Sequence, residues 1–393
     1  MNGTIYMPVG EVCSSISDTY REKKNMVTLI NTSDVLEGRV LNHERVPNSN
    51  LKGQFKKTFQ RDDILYSEIR PQNRRFAYVD FSPIDYIAST KLMVIRAKKD
   101  VVSPKYLYYF LKNTSTVAEL QLLAETRSGT FPQITFSEVA NLTIPVPSLA
   151  VQEVIVQTMQ CLEDKITCNE QINDNLEQQA QSYFHELFVD NADPEWAIGT
   201  ISDLGTVVGG STPSKAKPEY YTESGIAWIT PKDLSINKSK FVSHGENDIT
   251  ELGLKNSSAA IMPEGTVLFS SRAPIGYIAI ATDEVTTNQG FKSVVPKPEI
   301  GTPFVYFFLK NTLPVIEGMA SGSTFKEVSG STMKNVPAVI PDAETLAKFS
   351  DFCAPIFAQQ RILEEQNQSL ATLRDNLLPK LMSGEIDVSA VQL

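Results

Sequence analysis

The chain has 393 residues, 41% of them hydrophobic and 9% aromatic, and a formal net charge of −10; this is the make-up of ordinary folded protein in two or three domains. No run approaches the roughly 18 consecutive apolar residues of a membrane span, and MNGTIYMPVG lacks the basic region and apolar core of a secretory signal. Cys13, Cys161, Cys168 and Cys353 show no CxxC spacing, and His43, His185 and His244 have no paired ligand at helical spacing; neither a disulfide framework nor a bound metal is expected, and a reducing cytoplasm is.

The charge is unevenly distributed. Residues 1–147 carry +4, residues 148–193 carry −8, residues 194–341 carry −2 and residues 342–393 carry −4. The first and third segments read as globular α+β domains. In the first, FAYVDF and KLMVIRA are β-rich runs between turn residues, and YLYYFLKNT (Tyr106 to Thr114) is a helix apolar on most sides. Residues 52–75 hold seven basic side chains against three acids, with Phe55, Phe59 and Tyr66 among them.

The second segment has no Gly or Pro from Ser148 to Phe188. Its apolar residues step by four and three through Ile155, Met159, Leu162 and Ile166, resuming at Leu176, which is the seam of a coiled coil. Asn169 and Asn173 interrupt it. The third segment has the β-rich runs GTVLFSS and GYIAIAT and the helix FVYFFLKNT (Phe304 to Thr312). The fourth repeats the heptad through Phe349, Phe352, Ile356, Leu363, Leu370, Leu373 and Leu377, interrupted by Gln359 and Gln366, with Ser383-Gly384 as a stop. Two unrelated surface helices are the plain alternative. The matching polar interruptions favour helices that pair with each other.

The two halves correspond throughout. YLYYFLKNT and FVYFFLKNT share six of nine residues at a separation of 198. ILYSEIRP answers VLFSSRAP, SGTF at Ser128 answers SGSTF at Ser321, and NLTIPVP answers NVPAVIP. The order globular–helix–globular–helix is therefore duplicated, as in an internal pseudo-dimer.

Catalytic patterns are missing from the sequence. GGSTPSK at Gly209 lacks the second glycine of a phosphate loop, HELFV at His185 lacks the second histidine of a metalloprotease helix, and there is no GxSxG elbow. The loops instead carry recognition chemistry. Gly210, Ser211, Thr212 and Lys215 lie in one; Arg272 follows Ser270-Ser271; Asn288, Gln289 and Lys292 lie in a third. Arginine can pair with guanine, and Asn or Gln with adenine, through two hydrogen bonds each. Each loop taken singly also fits a solvated turn. A protein- or carbohydrate-binding adaptor with the same repeat is the alternative from another functional class.

These features together resemble the specificity subunits of type I restriction-modification systems. The resemblance rests on the paired domains, the FLKNT helix, GSTPS at Gly210, WITPKDL at Trp228, RAPIG at Arg272 and NLLPKLMSGEI at Asn376. It implies two target-recognition domains (1–147 and 194–341) and two spacer helices (148–193 and 342–393) pairing as an antiparallel coiled coil about a pseudo-twofold axis. About 40 helical residues would make a rod of roughly 60 Å. It implies a non-catalytic subunit that reads a bipartite, asymmetric target in double-stranded DNA. Two DNA methyltransferase subunits, and in the larger complex two endonuclease/translocase subunits, would be its partners; S-adenosylmethionine, ATP and Mg would belong to those partners, which methylate adenine N6 and cleave DNA. Candidate DNA contacts are then Lys56, Lys57, Arg70, Arg74, Arg75, Lys91, Arg127 and Thr130 in the first domain. In the second, Thr230, Lys232, Ser323 and Thr324 join the loop residues above. No GSTPS counterpart is evident around Ser14 to Lys24.

Overall fold

Strands buried on both faces read as unbroken apolar runs, and here successive residues of such runs feed two different cores. The computed structural model describes residues 4–49, 53–127, 131–322 and 326–388. It divides into two compact units that interleave along the chain, one drawn from residues 1–166 and 369–393, the other from residues 167–368.

In the first unit, strand Leu92–Ala97 sends Met93, Ile95 and Ala97 into one core and Leu92 and Val94 into the other. Its neighbour Ile64–Ser67 does the same with Ile64 and Tyr66 against Leu65. This is the period of two expected of a strand. The sheet order is Cys13–Ile16, Leu92–Ala97, Ile64–Ser67, Phe76–Tyr78, all antiparallel. A second sheet runs Val46–Pro47, Met26–Ile30, Tyr86–Ser89, Phe55–Lys57, with its central pair parallel. A ribbon of Ile5–Pro8 on Thr143–Val146 brings the ends of the globular part together. Helix Pro104–Lys112 starts with Pro at its first position, where the missing N–H costs nothing. Tyr106 to Leu111 are all buried, and they share a core with Ile155 and Met159 of the first long helix and Leu378, Leu381 and Met382 of the second.

The second unit repeats this plan. Gly205–Gly209, Lys292–Pro296, Val267–Ser271 and Ile275–Ala281 stand in the same order, with Phe241–Val242 added at the edge. Val267 and Phe269 face the helix-side core and Leu268 the other. The second sheet is Tyr221–Thr222, Asn247–Ile249, Ile226–Ile229, Thr286–Thr287, again with one parallel pair. Ala197–Thr200 pairs with Pro337–Ile340 as the closing ribbon. Helix Thr302–Met319 buries Phe304 to Leu309 and continues past Pro314, whereas its counterpart breaks and restarts as Thr114–Arg127. The duplication read from short motifs is thus a duplication of topology in the main sheet, the closing ribbon and the parallel pair, while the edge strands differ between the units.

The long helices are Leu149–His185 and Ala343–Ser383, the latter ended by Gly384 at φ 77°. Within the second unit they run antiparallel. Asn169 Nδ2 donates to Asn367 Oδ1 at 2.8 Å and to Gln366 Oε1 at 3.4 Å, Gln360 Nε2 donates to the Asn173 carbonyl at 3.2 Å, and the Tyr183 ring lies 4.5 Å from that of Phe352. On the first helix, Ile155, Met159, Leu162, Ile166, Asn169, Asn173 and Leu176 are all buried or half-buried. The second helix requires a correction. Phe349, Ile356, Leu363, Leu370 and Leu377 face inward, but the alternate seam positions are Cys353, Gln360, Asn367 and Arg374, each one residue later than expected. Gln359 is exposed, and so is Leu373, at 50%. The polar side chains decide the register, because Gln360 and Asn367 hold the hydrogen bonds to the first helix that Gln359 would hold in the expected one.

The repeated aromatic helix also carries an attachment. Lys112 pairs with Glu163, whose other oxygen accepts from Tyr109 at 2.8 Å. In the second unit Lys310 pairs with Glu177, which also accepts from Lys240 at 2.8 Å and from the Tyr306 hydroxyl at 3.1 Å. Lys240 is buried, its Nζ 3.5 Å from the centre of the Phe357 ring and 4.4 Å from that of Tyr306, a cation–π cage. Burial alone would raise the Glu177 pKa, but the two ammoniums outweigh it and hold the carboxyl below its usual range. Burial pushes Lys240 down to about 8. Among the described residues, no helix is long and apolar enough to cross a membrane.

Candidate nucleic-acid interface

In the second unit the candidate residues gather where Gly205–Gly209 ends against the segment after Thr286–Thr287. Gly210 packs so closely there that a Cβ would lie 2.1 Å from the Asn288 carbonyl oxygen. The glycine is needed for backbone approach. Ser211 N–H donates to the Thr287 carbonyl at 2.9 Å, and the Trp228 indole N–H donates to the Ser211 carbonyl at 2.9 Å. The Thr212 hydroxyl donates to Gln289 Oε1, and Tyr221 OH donates to the Pro213 carbonyl at 2.6 Å. The loop is therefore held from four sides, with Gln289 and Lys215 exposed at its surface. Asn288 is turned to local use, its side-chain oxygen accepting from Gly290 N–H at 2.8 Å.

Arg272 lies at the end of Val267–Ser271, ahead of a cis Ala273–Pro274 bond and Gly276 at φ 96°. Its guanidinium lies 3.5 Å from Glu327, and Lys292 Nζ lies 3.9 Å from the other oxygen of the same carboxylate. Lys292 Nζ also donates to the Gln289 carbonyl at 3.3 Å, and burial lowers its pKa. Thr230 and Lys232 are occupied elsewhere. The Thr230 hydroxyl donates to Asp233 at 2.7 Å in a capping box, and Lys232 pairs with Glu246 at 2.6 Å, both side chains exposed. Ser323 and Thr324 lie outside the described residues.

The first unit builds the equivalent corner from other residues. Lys57 Nζ donates to the Leu92 and Thr90 carbonyls at 2.8 and 3.1 Å, and burial lowers its pKa. Lys91 lies 3.4 Å from Glu68 and donates to Gln133 at 3.4 Å. Isolated bridges tie both corners in the same way, Ile69 to Gln133 in one and Arg272 to Glu327 in the other. Arg74 donates to Thr114 at 3.0 Å and Arg75 to the Ser33 carbonyl at 3.0 Å, so both brace the loop. Lys56 and Arg70 are exposed, Arg70 in the left-handed region at φ 44°. Arg127 is the last residue of its helix, and Thr130 lies outside the described residues.

Sequence reasoning did not single out Glu68, Glu327, Gln133 or the Trp228 latch. The only available signal was position relative to the repeat, since each partner is far away in sequence from the cation or loop it holds.

Residues 6–178 and 194–373 each match the family model described as the Type I restriction modification DNA specificity domain. The chain is 29% identical over 435 residues to the Type I restriction enzyme HindI specificity subunit of Haemophilus influenzae, covering 92% of this chain and 94% of that one. It is 39% identical over 194 residues to the MjaIX specificity subunit of Methanocaldococcus jannaschii, covering 47% of this chain and 45% of that one. The crystal structure of the S subunit of a type I restriction-modification system from M. genitalium shares the fold at a TM-score of 0.55 and 17% identity, covering 97% of this chain and 96% of that one. With the specificity domain present twice over most of its length, this chain belongs to the family of type I restriction-modification DNA specificity subunits.

Proposed function

We propose that this specificity subunit reads a two-part DNA target, one part through each unit, and presents that DNA to DNA methyltransferase subunits. The observation that carries the proposal is the duplication of the loop corner. Each unit brings cations and a polar strand end to one place, and each builds it from different residues. A common frame with different contact residues suits readers of different base sequences. This chain's role is to recognise and to hold; base flipping and methyl transfer at adenine would be done by the partner, with S-adenosylmethionine bound there. ATP and Mg would belong to endonuclease/translocase subunits where these join.

Replacing residues 194–341 with the corresponding part of a relative, followed by sequencing of methylated bases in cells, tests the reading. One part of the methylated motif should change and the other stay. A change in both parts, or in neither, would refute a separate reader in each unit.

A further inference from the structure

The corners share a feature that recognition alone does not require. In the second unit one carboxylate, Glu327, stands between two cations, Arg272 at 3.5 Å and Lys292 at 3.9 Å. In the first unit Glu68 stands 3.4 Å from Lys91, and Lys57 lies on the Thr90 and Leu92 carbonyls that flank Lys91. The four cations come from non-equivalent positions in the repeat, as do the two acids. Yet each corner ends as a half-buried lysine tied to a backbone carbonyl and a more exposed second cation paired with a carboxylate, which in the second unit the lysine shares. Two cations and one acid have been brought together twice by different residues.

We propose that Glu327 and Glu68 are brakes on sequence-independent DNA binding, acting as internal stand-ins for a phosphate. The inference rests on the DNA-reading function above. A carboxylate offers the same cations the same two-oxygen geometry that a phosphate does. Any duplex that comes to the corner must compete with it. Sequence-independent binding comes almost entirely from phosphate neutralisation and counterion release. A corner holding two cations and one acid contributes one net positive charge, where an unbraked corner would contribute two. The acid is also well held in place. Glu327 exchanges both backbone hydrogen bonds with Ser321, at 2.8 and 3.1 Å, so its side chain can be changed without loosening that ladder.

The test is the salt dependence of binding by the full chain to a mixed-sequence duplex lacking the target. Glu327→Gln adds one net positive charge, so the slope of log K against log salt should steepen by about 0.9. Affinity at low salt should rise with it. Arg272→Ala should make the slope shallower by a similar amount, and the Arg272→Ala/Glu327→Gln double variant should return it to the wild-type value. Glu68→Gln should act as Glu327→Gln does. An unchanged or shallower slope for Glu327→Gln, while wild type binds in a salt-dependent way, overturns the brake alone. A wild-type chain whose duplex binding shows no salt dependence overturns the DNA-reading proposal and the brake with it.

Discussion

Glu177→Leu strips the carboxylate from the buried ammonium of Lys240. At the observed 2.8 Å, the attraction at an effective dielectric constant of about 20 is roughly 6 kcal/mol. Desolvating the two groups offsets most of this in the intact protein. Removing one partner leaves the other buried and unpaired, which costs about 3–5 kcal/mol. Lys310 adds little, because its side chain is 30% exposed and can turn towards water. For a unit of this size about 1 kcal/mol moves Tm by about 2–4 °C, so a drop of roughly 6–20 °C is expected. The assay is built in, since both tryptophans, Trp196 and Trp228, lie in the second unit. Tryptophan fluorescence of the full chain therefore follows that unit's unfolding. Lys240→Met in the same chain should recover most of the loss, as apolar replacement of a buried ion pair commonly does. A loss below about 1 kcal/mol, or a double variant no better than the single, would refute the argument that the pair carries this attachment.

Lys240 also predicts a pH dependence. Its folded pKa is held near 8 against 10.5 for the free side chain. Between these values the unfolded chain binds a proton that the folded chain lacks, so stability should rise with pH across that window and be insensitive to this group below it. Urea midpoints at about pH 8 and about pH 10 should show the rise in wild type and less of it in Lys240→Met. Asn169→Leu with Asn367→Leu replaces an amide pair, one member buried and the other half-buried, by apolar contact; the fluorescence-detected Tm should increase, and a decrease would mean the amides stabilise the pairing as well as fix its register. Gly210→Ala forces a methyl group to within 2.1 Å of the Asn288 carbonyl, which should break the Ser211–Thr287 hydrogen bond and disturb the indole of Trp228. A native-state fluorescence spectrum identical to wild type would refute that.

How much of this could be read in the sequence followed the range of the interaction. Runs such as VLFSS and KLMVIRA were legible because a strand's period is local, although their alternation between two cores was not. The seam of the first long helix was legible because its inward residues on either side of Asn169 and Asn173 are apolar. That of the second was half legible. Leu373 and Phe352 are the more apolar choices at their positions, but the pairing is settled by Gln360 and Asn367, whose partners lie almost half a chain away. The corner loops were found from their glycines and amides. Their electrostatic character was not, because Arg272 and Glu327 meet only after the intervening helix has folded back.

The interleaving of the two units bears on the order in which the protein is made. The first unit's core contains Leu378, Leu381, Met382 and Val388, which leave the ribosome after every residue of the second unit. The N-terminal half must therefore wait, with Tyr106, Leu107 and Met159 short of part of their cover, while the second unit can close as soon as residue 368 has emerged. A chain cut short after residue 368 would be expected to keep a sound second unit and an unfinished first one, so that damage at the C-terminal end of the polypeptide would appear at its N-terminal end.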